Sequence, residues 1–151
     1  MPTHYNGTEE EIRALNTYIK LSRAAESVNN RINAHLQSYQ LTTSQFGVLE
    51  ALYHLGPLQS GELGAKILKS SGNMTLVLDN LEKRHLIVRQ RRADDRRCIE
   101  IHLTEEGTTL VAQIIPPHVA GIVQAFSTLT PTEQEQLAAL CKTLGLADHQ
   151  A

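Results

Sequence analysis

The chain has 151 residues, a net charge of −2 and 41% hydrophobic residues, which suits one packed domain and excludes a disordered chain. It has no run near ~18 consecutive apolar residues to span a membrane, and its polar, acidic start, MPTHYNGTEEE, is unlike a secretory signal, so a cytoplasmic protein is expected. Cys98 and Cys141 share no CxxC or ligand-like spacing, and His35, His54, His102 and His118 share none either, so neither a metal, a cofactor nor a disulfide framework is expected.

Thr8, with Glu11 three residues on, forms a capping box at the head of the first helix. Ile12, Leu15, Ile19, Val28, Ile32 and Leu36 then recur at helical period, predicting one long helix over about 9–37. That is more helix than a small domain needs, and long terminal helices often pack against a second chain. In LTTSQFGVLEALYHLG, Thr42 caps and Gln45 closes the box of a second helix. Its inner face is Phe46, Leu49, Leu52 and Tyr53, and Gly56 and Pro57 stop it. A short helix follows over about 60–69. The next segment, KSSGNMTLVLDNLEKRHLI, opens on small polar residues and carries Met74, Val77, Leu78 and Leu81 on one face. Two helices joined by a tight polar turn make a helix-turn-helix pattern. Alone, that signal is weak.

The segment RHLIVRQRRADDRRCIEIHLTEEG, residues 84–107, changes the weighting. LIVRQRR and RCIEIHL are β-prone, with Ile99, Ile101 and Leu103 alternating against Cys98, Glu100 and His102, and RADDR fits a hairpin tip. Residues 83–97 hold seven of the fourteen Lys and Arg against two Asp, a local balance of +5 that leaves −7 on the rest. Such a patch points to a polyanion partner or to a merely solvated hairpin. Its place after a helix-turn-helix makes it the wing of a winged helix.

Helix returns after Thr104, with Leu110, Val111, Ile114 and Ile115, and a kink or break is expected near 115–117, where Pro116 and Pro117 stand. Val119, Ile122, Val123 and Phe126 resume the pattern. In LTPTEQEQLAALCKTLG, Thr130 caps, Pro131 takes the first position, Glu133 closes the box and Gly145 marks the stop. Leu137, Leu140, Cys141 and Leu144 form its apolar stripe, and Cys141 reads as interface packing. The expected fold is mainly α with a small β-hairpin wing.

LTTSQFGVLEAL (41–52), LEKRHLIVR (81–89) and above all DDRRCIEIHLTEEG (94–107) resemble the MarR family of transcription regulators, over nearly the whole chain. The resemblance implies a single domain, 1–151, in which a winged helix-turn-helix region, 41–104, is flanked by dimerisation helices, 8–40 and 105–147. It further implies a homodimeric repressor on a palindromic operator in double-stranded DNA, released by a small aromatic, phenolic or quinone-like effector. ILKSSGNMTLVLDNLEKR and the proline-bearing IIPPH look most like the branch that answers quinone-like or aromatic compounds. By position, Ser71 to Asn80 would be the recognition helix, and Asp95 would steady Arg97 for entry into the minor groove. Two departures stand out: Leu76 where members often carry Arg, which puts base specificity in doubt, and His85 where glycine is usual.

The candidate DNA-binding residues are Ser70, Ser71, Asn73, Thr75, Arg91, Arg92, Asp95, Arg96 and Arg97. Asn73 and Thr75 suit base edges and phosphates, or ordinary helix capping; Ser70 and Ser71 divide evenly between the two. Arg91, Arg92 and Arg96 suit phosphates. Arg31, His35, Tyr39 and Tyr53 are candidates to line an effector pocket. Cys98, beside the wing arginines, offers a redox switch if they lower its pKa; the family's peroxide sensors use a Cys near the start of the first helix, which this chain lacks. A protein-binding winged helix is the other alternative. With no nucleophile–base pair, phosphate loop or metal cluster, no enzymatic activity is expected.

Overall fold

The computed structural model describes residues 3–67 and 71–146. In chain order it has α1 (Glu9–Asn33), a 3₁₀ helix (Ala34–Tyr39), α2 (Thr43–Leu55), β1 (Leu58–Gln59), α3 (Ser60–Ile67), α4 (Ser71–Lys83), β2 (Ile87–Arg91), β3 (Ile99–Leu103), α5 (Glu105–Phe126) and α6 (Pro131–Leu146). It is mainly α with a small β wing, as the sequence predicts. The chain divides into two units, Asn33–His118 and Met1–Ile32 with Val119–Ala151.

Three capping boxes form where the sequence places them. Thr8 and Glu11, Thr42 and Gln45, and Thr130 and Glu133 each exchange two hydrogen bonds of 2.8–3.2 Å between side chain and backbone N–H, satisfying donors that a helix start leaves orphaned.

In the unit Asn33–His118, Leu36, Phe46, Val48, Leu49, Leu52, Leu63, Met74, Leu78, Leu81, Ile87, Ile101, Val111 and Ile114 form one buried cluster. α4 contributes its Met74–Leu78–Leu81 stripe, so its opposite side is left outward. The sheet has the order β1-β3-β2, both pairs antiparallel, with Ile87 opposite Leu103, Arg91 opposite Ile99 and Leu58 opposite Ile101.

α4 ends in a turn that sets the wing's root. Leu86 N–H bonds the Leu81 carbonyl at 3.1 Å and His85 N–H that of Glu82 at 3.0 Å, with His85 left-handed at φ 59°. This is a Schellman ending, normally made by glycine. An L-residue with a Cβ costs about 1–2 kcal/mol in this region, so His85→Gly should raise stability by about 1 kcal/mol and the melting temperature by roughly 2–4 °C. A thermal melt that falls instead would show the imidazole to be held by more than backbone.

Two expectations are corrected. The expected break at Pro116 and Pro117 is absent, since α5 continues through both as one helix. The prolines deprive the carbonyls of Ala112 and Gln113 of their helical donors, but those two residues and the prolines themselves are exposed, so water serves instead. By length and composition alone α5 would also suffice to cross a membrane; its Val111 and Ile114 lie in the core cluster. The first helix ends at Asn33 and continues as 3₁₀ turns to Tyr39, closed by left-handed Gln40 at φ 56°.

The other unit holds its apolar residues differently. No residue of α1 is fully buried, while Tyr18 and Leu21 on α1, Val119 and Val123 on α5, and Leu137, Leu140 and Leu144 on α6 are exposed, Leu140 by 69%.

Candidate nucleic-acid interface

The interface builds from α4 and the β2–β3 wing. On the outward side of α4, Asn73, Thr75, Leu76 and Asp79 are exposed, and Leu76 is 62% exposed. Ser70 lies outside the described residues, and Ser71 is placed only as the first residue of α4.

Carboxylates next to this face would repel phosphate, and Arg89 on β2 answers them. Its Nη2 donates to Asp79 Oδ1 at 2.7 Å and its Nη1 to Glu82 Oε1 at 2.8 Å, while its backbone N–H reaches Glu82 Oε2 at 3.1 Å. Partial burial opposes the charge of Arg89, but the two carboxylates outweigh it and raise its pKa. The fork ties β2 to α4 and offsets one of the two negative charges. Arg84 does similar work at the helix end: its guanidinium donates to the carbonyls of Gln40 at 2.7 Å and Tyr39 at 3.0 Å, the last turn of the 3₁₀ helix. Arg84 and Arg89 were not singled out in the sequence.

The tip is ordered by its aspartates. Arg92 grips Asp94 with two bonds of 2.9 and 2.6 Å, and this hydrogen bond holds the Asp94 carboxyl below its ordinary pKa. Arg91 Nη1 spans the hairpin to the Arg96 carbonyl at 2.8 Å. Asp95 does not pair with the Arg97 guanidinium; its Oδ1 accepts the Arg97 backbone N–H at 3.0 Å. Two residues apart in a tight turn, an Asp carboxylate meets the backbone more readily than the side chain. Among the described residues, the guanidinium groups of Arg96 and Arg97 have no hydrogen-bond or ion-pair partner, and both residues are exposed.

That carboxylate also lies beside Cys98. Its Sγ lies 3.6 Å from Asp95 Oδ2. Desolvation, then the Asp95 charge and hydrogen bond, push the thiol pKa up, and the opposing pull of Arg92 is weaker. A raised pKa lowers the fraction of thiolate that a redox switch would use, contrary to the expectation from neighbouring arginines.

The four candidate effector residues have these surroundings. His35 Nε2 and His118 Nδ1 are 2.8 Å apart, with Tyr39 edge-on to His35 and Phe46 against His118. Tyr53 meets His54 edge-on, and Arg31, in the other unit, bonds the Ser27 carbonyl. An open depression at the head of α5, lined by His85, Thr104, Glu105, Glu106 and Thr109 among others, includes none of the four.

Burial, then the nearby His35, lower the pKa of His118, with Glu50 acting the other way. An unfolded imidazole takes a proton near pH 6.5; folded His118 resists it. The unfolded chain therefore binds more protons below about pH 6.5, and stability falls as pH drops through that window, with no loss above it. Urea midpoints at pH 7.5 and 5.5 should separate, and His118→Gln should narrow the gap. Equal midpoints for the unaltered protein would refute this.

A helix-turn-helix whose outward helix stands beside an arginine-tipped hairpin defines a winged-helix DNA-binding transcription regulator. Comparison with known proteins agrees. The MarR family profile matches residues 41–99. The uncharacterized helix-turn-helix regulator YkoM of Bacillus subtilis is 38% identical over 139 residues, covering 91% of this chain and 90% of that protein. MhqR of the same organism, a helix-turn-helix transcriptional regulator, is 38% identical over 134 residues, with 89% and 92% covered. Among solved structures, AbsC, a MarR family regulator from Streptomyces coelicolor, superposes with a TM-score of 0.78 over 98% of each chain at 24% identity. BpsR of Bordetella bronchiseptica, whose DNA binding is regulated by 6-hydroxynicotinic acid, gives 0.76 at 24% identity over 97% of this chain and 99% of its own. The chain belongs to the MarR family.

Proposed function

We propose that the protein is a homodimeric repressor that binds a palindromic operator in cytoplasmic double-stranded DNA and leaves it when a small aromatic or quinone-like compound binds. The observation that carries the DNA contact is the wing tip, where Arg96 and Arg97 stand exposed with no intramolecular partner for their guanidinium groups among the described residues. Asn73 and Thr75 reach base edges and phosphates in the major groove, and Ser70 and Ser71 are further candidates for such contacts. Arg91, Arg92 and Arg96 meet phosphates, and Arg97, its backbone set by Asp95, enters the minor groove.

Dimerisation is supported by the exposed apolar residues of α1, α5 and α6, which gain by burial against a second copy. A dimer presents two α4 helices to successive major grooves about one helical turn apart. The effector acts by favouring a dimer whose spacing no longer matches; Arg31, His35, Tyr39 and Tyr53 are its candidate contacts. Support for an aromatic effector comes from the fold likeness to BpsR.

Fluorescence anisotropy on duplexes from the DNA upstream of the gene, over a salt series, tests this reading. Competitor-resistant binding with a steep salt slope is expected. Binding no tighter than to random DNA would count against it.

A further inference from the structure

We infer that Leu76 reads thymine: its side chain meets the 5-methyl group of a thymine in each operator half-site. The inference rests on the DNA-binding reading and deepens it.

On α4, Met74, Leu78 and Leu81 are each at most 1% exposed, whereas Leu76 is 62% exposed. An isolated exposed leucine needs no explanation on most surfaces. Here its place does the arguing. Leu76 is in the second turn of the recognition helix, next to exposed Thr75 and one turn beyond exposed Asn73, where such a helix presents side chains to base edges. A leucine there can bind neither phosphate nor a base acceptor, because it has no donor. The major groove offers it one apolar group, the thymine methyl, which distinguishes A·T from the other pairs. The surroundings favour that contact. Asp79, one turn on, is ion-paired with Arg89 at 2.7 Å, so the surface beside Leu76 does not carry an unpaired carboxylate that would hold water against it. Base specificity is thus altered in kind where the family often carries Arg: a hydrogen-bonding contact gives way to an apolar one.

The test begins with duplexes that the purified protein itself enriches from a random-sequence pool. Each thymine of the enriched sequence is replaced singly by uracil, which removes one methyl and leaves base pairing intact. At one position per half-site, uracil should weaken binding about fivefold, and about 25-fold when both half-sites are changed, the scale of one buried methyl contact. Leu76→Ala, a substitution at an exposed helical position, should bind the thymine and uracil duplexes alike. Enrichment of a sequence with no uracil-sensitive position overturns the proposal alone. So does sensitivity that persists unchanged in Leu76→Ala, which would assign the methyl to another side chain. If no sequence is enriched at all, the DNA-binding reading falls and takes this one with it, leaving Leu76 to a protein partner.

Discussion

Replacing Arg97 with alanine should weaken operator binding at least tenfold at physiological salt while the protein stays folded. Truncation removes no fold contact, since the Arg97 guanidinium has no partner among the described residues and Asp95 holds only the backbone N–H, at 3.0 Å. What alanine removes is a charge whose backbone is already held, so binding has only the side chain left to order. A narrow A·T-rich minor groove concentrates negative potential and attracts a guanidinium. In a dimer both wings lose it, so a tenfold effect, about 1.4 kcal/mol in all, asks only about 0.7 kcal/mol of each. Arg97→Lys separates charge from shape: it should recover part of the affinity, because it lacks the flat fork. Anisotropy on the selected operator, with circular dichroism as the folding control, decides the matter. An unchanged dissociation constant would remove Arg97 from the interface.

The second large effect is on the fold. Gly107→Ala should destabilise the protein by about 3 kcal/mol, the cost of overpacking that only backbone movement can relieve, and lower the melting temperature by roughly 10 °C. Helix propensity alone predicts the reverse, since alanine is favoured over glycine in a helix by about 1 kcal/mol. The sign turns on what the methyl meets. At Gly107 it would fall against the backbone carbonyl oxygen of Leu86, the same oxygen that accepts Thr104 N–H at 3.1 Å. Thr104 Oγ1 completes the joint, donating to the His85 carbonyl at 2.7 Å and accepting Gly107 N–H at 3.0 Å. The LTEEG motif thus docks the head of α5 onto the turn between α4 and β2. Gly61→Ala is the control, because a methyl there meets open space; it should leave stability unchanged or slightly raised. If Gly107→Ala melts with the unaltered protein, the joint is looser than its geometry.

Legibility followed the range of each interaction. The three capping boxes could be read because each is a three-residue exchange, and the wing because alternation at Ile99, Ile101 and Leu103 sets a period. His85 stands out only through the family resemblance, as a departure where glycine is usual; its left-handed φ of 59° supplies the reason. β1 could not be read: its two residues have no period, and they are a strand only through Leu58 and Gln59 pairing with Ile101 and Glu100. The end of α1 was placed at 37 because apolar Leu36 continues the pattern into 3₁₀ turns. Long-range pairs were equally hidden. His35 and His118 are 83 residues apart, and nothing local marks Arg84 as the residue that holds the Tyr39 and Gln40 carbonyls. At the tip, composition showed aspartates among arginines, but geometry alone decides that Asp94 takes a guanidinium and Asp95 a backbone N–H.

The segregation of charge has a kinetic consequence. The segment 83–97 carries +5 and the rest of the chain −7, and at physiological ionic strength fields reach about 8 Å. A duplex drifting toward the acidic remainder is turned away before contact, while one nearing the wing is drawn in. On the proposed reading, random collisions are thereby sorted by orientation, and the protein meets DNA wing first.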